Sequence, residues 1–146
     1  MPASTHGEGN GCLIVGNVSR DNADRGINAV GDNHIISNNF VYANNLVGIE
    51  VSGSNCIVSG NIIKNNGRNT SASSTFRGGI RLTNAVDSVV NGNRVYDNQG
   101  TKTQTTGILE AGTTNFSIVV GNNARRNATT GITLAGANSV STANIT

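Results

Sequence analysis

Apolar pairs and triplets recur along this chain, each running into a Gly-Asn or Asn-Asn step. Leu13-Ile14-Val15, Ile35-Ile36, Ile57-Val58, Val89-Val90 and Ile118-Val119-Val120 lead to Asn17, Asn39, Asn61, Asn93 and Asn122, and Asn144 opens a sixth unit. The anchors lie 22, 22, 32, 29 and 22 residues apart, so the basic period is 22 and two units carry insertions. Five residues beyond each of the first five anchors stands a second asparagine, at Asn22, Asn44, Asn66, Asn98 and Asn127. A Gly-Ile pair follows, and period-2 alternation sets Ile27, Ile49, Ile80, Ile108 and Ile132 in one inward column. One such unit cannot bury its apolar face alone. Stacked units can, each strand pairing in parallel with the next at about 4.8 Å, while corner asparagines form side-chain ladders. The pattern therefore predicts an all-β, parallel β-helical solenoid of five to six coils over residues 9–146, preceded by a tail at 1–8 and without capping helices.

Composition agrees with a molecule made of turns. Aromatic residues are 3% and charged residues 12% of the 146, too few for an ordinary closed globular core. The net charge of +2 is dispersed, with no basic run of the kind that binds nucleic acid. No apolar stretch reaches the roughly 20 residues of a spanning helix. Met1 to Glu8 has neither the basic start nor the apolar centre of a secretion signal.

The run from Ile57 to Asn66, followed by Gly79-Ile80-Arg81-Leu82, resembles the right-handed β-helix repeat of the pectin-lyase-like superfamily. Gly92 to Ile108 is similar to coils of bacterial and phage appendage proteins. That superfamily includes pectate lyases, mannuronan epimerases, tailspikes and copper-maturation proteins, so the resemblance implies a right-handed coil and leaves the activity open. It implies an extracellular or virion-surface location, and either a structural fibre segment or, alternatively, a polysaccharide lyase, epimerase or glycosidase. Uncapped coil ends would pair with partners: further copies, end to end or as a trimer, or the rest of a longer β-helix.

Three groups of residues are candidates for chemistry. Three positions after each anchor stand Arg20, Tyr42, Lys64, Tyr96 and Arg125, an exposed file of cations and rings suited to an acidic polysaccharide, or simply a solvated ladder. The insertions, at 67–78 and 99–106, fall at one corner of adjacent coils. There Arg68, Arg77, Lys102 and Gln104 would line a cleft, unless the insertions are merely tolerated. The outer face of the Gly-Ile strands reads Asn28, Glu50, Arg81, Leu109 and Thr133, in which Glu50 and Arg81 make a cross-strand ion pair. If the protein were an enzyme, Glu50, Arg81 and Glu110 would be its catalytic residues, although hydrolysis needs two carboxyls about 5–9.5 Å apart. Glu110 falls at an inward position, unless its strand ends a residue earlier. Cys12, His34 and Cys56 share one corner. Cysteines two coils apart, about 9.6 Å, are too distant for a disulfide or a shared zinc, so no metal and no cofactor are expected.

Overall fold

A computed structural model describes residues 5–146 as a six-coil parallel β-helix. Its strands are β1 (Thr5–Glu8), β2 (Leu13–Val15) and β3 (Val18–Arg20) in the first coil, then β4 (Ile27–Val30), β5 (Ile35–Ser37) and β6 (Phe40–Tyr42). The third coil holds β7 (Ile49–Ser52), β8 (Ile57–Ser59) and β9 (Ile62–Lys64), and the fourth β10 (Ile80–Thr83), β11 (Val89–Asn91) and β12 (Arg94–Tyr96). Last come β13 (Thr106–Ala111) and β14 (Ile118–Val120), then β15 (Thr130–Thr133) and β16 (Val140–Thr142). Like strands stack into three parallel sheets: A (β1-β4-β7-β10-β13-β15), B (β2-β5-β8-β11-β14-β16) and C (β3-β6-β9-β12). In the fifth and sixth coils sheet C is reduced to single bridges, Arg94 with Asn123 and Asn123 with Ile145.

The solenoid starts earlier than its sequence suggests. Residues 5–8, expected as tail, pair in parallel with β4 through Thr5–Ile27 and Glu8–Val30, while residues 1–4 lie outside those described. The tail lacks the Gly-Ile signature because β1 carries Thr5 where later coils carry isoleucine.

Alternation fills the interior as expected. Ile27, Ile49, Ile80 and Ile108 are consecutive partners in sheet A and fully buried, facing Ile36, Val58, Val90 and Val119 of sheet B and Val41, Ile63 and Val95 of sheet C. Each such side chain stabilises the fold by about 1.5–3 kcal/mol relative to its exposed state. The invariant glycine before each isoleucine has a steric cause. A Cβ at Gly48 would stand 2.6 Å from Ile63 Cγ2 and 2.8 Å from both Asn66 Nδ2 and the Gly79 carbonyl oxygen, so only glycine lets the chain pass beneath the corner ladder.

Two amide ladders run along the corners. The Asn17 backbone N–H and Nδ2 both donate to Asn39 Oδ1, at 2.9 and 3.1 Å, and the same pair of bonds links Asn39 to Asn61, Asn61 to Asn93, Asn93 to Asn122 and Asn122 to Asn144. From the second rung on, Nδ2 also reaches back to a carbonyl of the preceding coil, as Asn39 does to Ile14 at 2.9 Å. The four inner amides, Asn39, Asn61, Asn93 and Asn122, are almost wholly buried, yet their polar atoms are paired, which removes the desolvation penalty. The second ladder runs Asn22, Asn44, Asn66, Gln104, Asn127. Gln104 replaces the expected Asn98, which is exposed. The chain leaves the corner at Asp97 for its insertion and returns at Gln104, whose extra methylene reaches the rung.

Candidate ligand-binding faces

On sheet C the predicted file is real as a register: Arg20, Tyr42, Lys64 and Tyr96 are successive partners. Strand alternation also puts Phe40 and Arg94 on this outer face, two residues before Tyr42 and Tyr96, and the sequence reading missed them. Their spacing was the available signal. The Phe40 and Tyr42 rings lie 4.5 Å apart by centroid, with Lys64 Nζ 5.3 Å from the first and 5.6 Å from the second and the Arg20 guanidinium 5.9 Å from Tyr42. Tyr96 is instead covered by Arg94 of its own strand at 4.6 Å. Arg20 bonds Asp21 at 3.1 Å, so much of its charge is answered locally.

Where sheet C thins, Arg94, Tyr96, Asn98, Asn123, Arg125 and Arg126 line a cavity of about 250 Å³. Three arginines and a phenol meet there with no carboxylate in the lining. Arg125 lies just past the Asn123 bridge, as the repeat predicts. Arg126 sits at a left-handed corner, φ 64°, at the phase that Asp21, Ala43 and Asn65 hold in earlier coils.

The two insertions do meet, but by packing rather than by flanking an open cleft. Thr105 donates its N–H to the Arg77 carbonyl at 2.7 Å and its hydroxyl to that of Ser74 at 2.7 Å. Asp97, buried, accepts from the backbone of Gln99, Thr103 and Gln104 and so fixes the second loop. Of the four residues expected to line a cleft, Gln104 is inside the ladder, Arg68 turns back to Asp21 at 3.1 Å, Arg77 is half-buried and Lys102 is exposed.

Sheet A departs from its expected solvent face. Glu50 and Arg81 are register partners and form an ion pair, yet they are 3% and 9% exposed. The 67–78 insertion folds over them, with the Phe76 ring 4.3 Å from the Arg81 guanidinium, while Arg25 bonds the other Glu50 oxygen and Thr83 donates at 3.1 Å. Burial alone would lower the Arg25 pKa, but the hydrogen bond and charge of Glu50 outweigh it and hold Arg25 above the usual arginine value. Glu110 points inward in the Leu82 column, 2% exposed, and its Oε2 accepts from the N–H groups of Ala135 and Gly136, both at 2.9 Å. Glu50 is thus sequestered by cations outside the barrel of coils and Glu110 by backbone within it.

At the third corner the Cys12 N–H donates to His34 Nδ1 at 3.1 Å, and Cys56 to Ser88 Oγ at 3.2 Å. Both cysteines are free thiols. Burial raises the Cys56 pKa, although the His34 N–H bonded to its sulfur pulls the other way. Among the described residues no three His, Cys, Asp or Glu side chains come together.

Three sheets, single parallel strands per coil and asparagine ladders define a single-stranded right-handed β-helix. The chain matches the right-handed β-helix region family over residues 4–146, and so belongs to that family. Among solved structures it is similar to the A-module of the Azotobacter vinelandii mannuronan C-5 epimerase AlgE6, with a TM-score of 0.73 and 20% identity over 93% of this chain and 42% of that one. The chain therefore spans less than half of that module, and the likeness is one of fold. No curated protein matches.

Proposed function

We propose that this β-helix is a non-catalytic segment of an extracellular or virion-surface fibre that holds an acidic polysaccharide against sheet C. The observation that carries the reading is the cavity formed by Arg94, Arg125 and Arg126 around Tyr96, which gathers cation and ring without a neutralising carboxylate. Guanidinium groups pair with carboxylate, sulfate or phosphate in bidentate fashion, and an aromatic ring offers a sugar an apolar platform. Along the same face Lys64, and then Tyr42 with Phe40 beside it, continue the pattern at one coil, about 4.8 Å, per step, a spacing comparable to a sugar repeat. Titration calorimetry with polyuronate and sulfated polysaccharides tests it. Binding should weaken as salt rises, and Arg125→Gln with Arg126→Gln should weaken it at least about tenfold, roughly 1.4 kcal/mol. Equal retention of acidic and neutral polymers, or an unaffected double variant, would remove the proposal.

The fold shared with an epimerase module supports a second reading, an enzyme of lyase, epimerase or glycosidase type. Against it, Glu50 is already engaged by Arg25, Arg81 and Thr83. New unsaturated or reducing ends on incubation with uronate polymers, or a changed epimer ratio, would favour that reading over the first.

A further inference from the structure

The outward positions of sheet B are unlike those of the other two sheets. Leu13, Ile35, Ile57, Val89, Ile118 and Val140 are successive register partners, making an unbroken aliphatic file over all six coils. Five of the six are 40–70% exposed. The second outward column is Val15, Ser37, Ser59, Asn91, Val120 and Thr142. The chain has 10 Lys and Arg and 8 Asp and Glu, and none of them stands in either column. Solvent-facing strands ordinarily carry polar or charged residues at such positions, and absence of charge is the compositional mark of an interface centre.

A second observation lies at the border of this face. Phe116, two residues before Ile118, is 51% exposed and has φ 57°. The equivalent corners hold Asn33, Asn55 and Asp87, residues that tolerate the left-handed region. A bulky side chain there costs about 1–2 kcal/mol, and within the single chain little burial offsets it.

We infer that sheet B is a docking face for a second copy of this chain, laid side by side, with Phe116 gripping its rim. The occupant follows from geometry. Branched side chains repeat at the coil spacing of about 4.8 Å, and a partner that meshes along all six coils must share that repeat, which another copy does. A two-fold arrangement sets the Leu13 end of one file against the Val140 end of the other, a self-complementary contact. With no charge in either column and its one ring, Phe116, at the rim, the face offers a glycan little. The exposed apolar area is on the order of 600 Å² per copy, somewhat under the roughly 800 Å² of a standard interface, which fits a reversible, concentration-dependent contact.

Sedimentation equilibrium on the whole chain between about 5 and 500 µM tests this, with a concentration-dependent dimer expected. Ile35→Lys with Ile118→Lys should leave it monomeric with unchanged circular dichroism and melting, because both side chains are already exposed. Should that variant fail to fold, Phe116→Asn, the residue found at equivalent corners, should alone weaken association about tenfold. Arg125→Gln with Arg126→Gln, on another face, should dimerise like the parent, which separates this inference from the glycan reading. A parent that stays monomeric at the highest concentration, or face variants that associate as it does, would overturn it.

Discussion

Each corner residue of this solenoid is chosen by what its backbone and side chain must reach. Gly16, Gly60, Gly92 and Gly121 take positive φ just before an anchor, while Asn38 and Ala143 hold the same place at 56° and 51°. Gln104 shows how exacting the side-chain requirement is, since it bonds Asn66 on one side and Asn127 on the other from a fully buried position. Gln104→Ala would orphan the Asn66 backbone N–H and leave its amide only the Val41 carbonyl, so urea unfolding should show a loss of about 2–3 kcal/mol. The equivalent Asn98→Ala should change stability by less than about 0.5 kcal/mol, as expected for an exposed position. The sequence disclosed the first ladder completely because all six anchors are asparagines at one phase of the repeat. It misplaced the second at one rung, because phase was counted from Asn93 through a corner where the chain detours.

At the scale of elements, strands were legible and insertions were not. A strand's neighbours are fixed by the repeat, so the pairings of Ile49 with Ile80 and of Tyr42 with Lys64 follow from counting. A loop's resting place depends on contacts that no period encodes. The 67–78 insertion was expected to flank a cleft, but Phe76 lies on Arg81 and turns a surface ion pair into a buried one. This changes what Glu50 is for. Removing one member of a buried ion pair commonly costs about 3–5 kcal/mol, because the remaining charge is left unpaired. Glu50→Gln, which leaves Arg25 and Arg81 facing each other without their carboxylate, should lower stability by about 3 kcal/mol in denaturant titration. Glycan binding, measured by calorimetry below the unfolding transition, should be unchanged, since sheet C is another side of the rod.

For the whole molecule, the three sides are differentiated: sheet A covered in part by a loop and locked by ions, sheet B apolar and uncharged, sheet C cationic and aromatic. Inward-facing residues could be read from alternation alone. The division of labour among outward faces could be read only in part, because it depends on which columns adjoin and which loops fold over them. One property of the ladder reaches further. Every rung presents the same donors and acceptor to the rung on either side, so coils of 22 residues are interchangeable parts and rod length is a matter of how many are strung together. Excising Asn17 through Asn38 would lay Asn39 where Asn17 was and yield a cooperatively folding protein one coil shorter by small-angle scattering. Cutting one residue fewer would leave its surplus at a single corner and lower stability there, while later rungs keep phase as they do across the 32- and 29-residue coils.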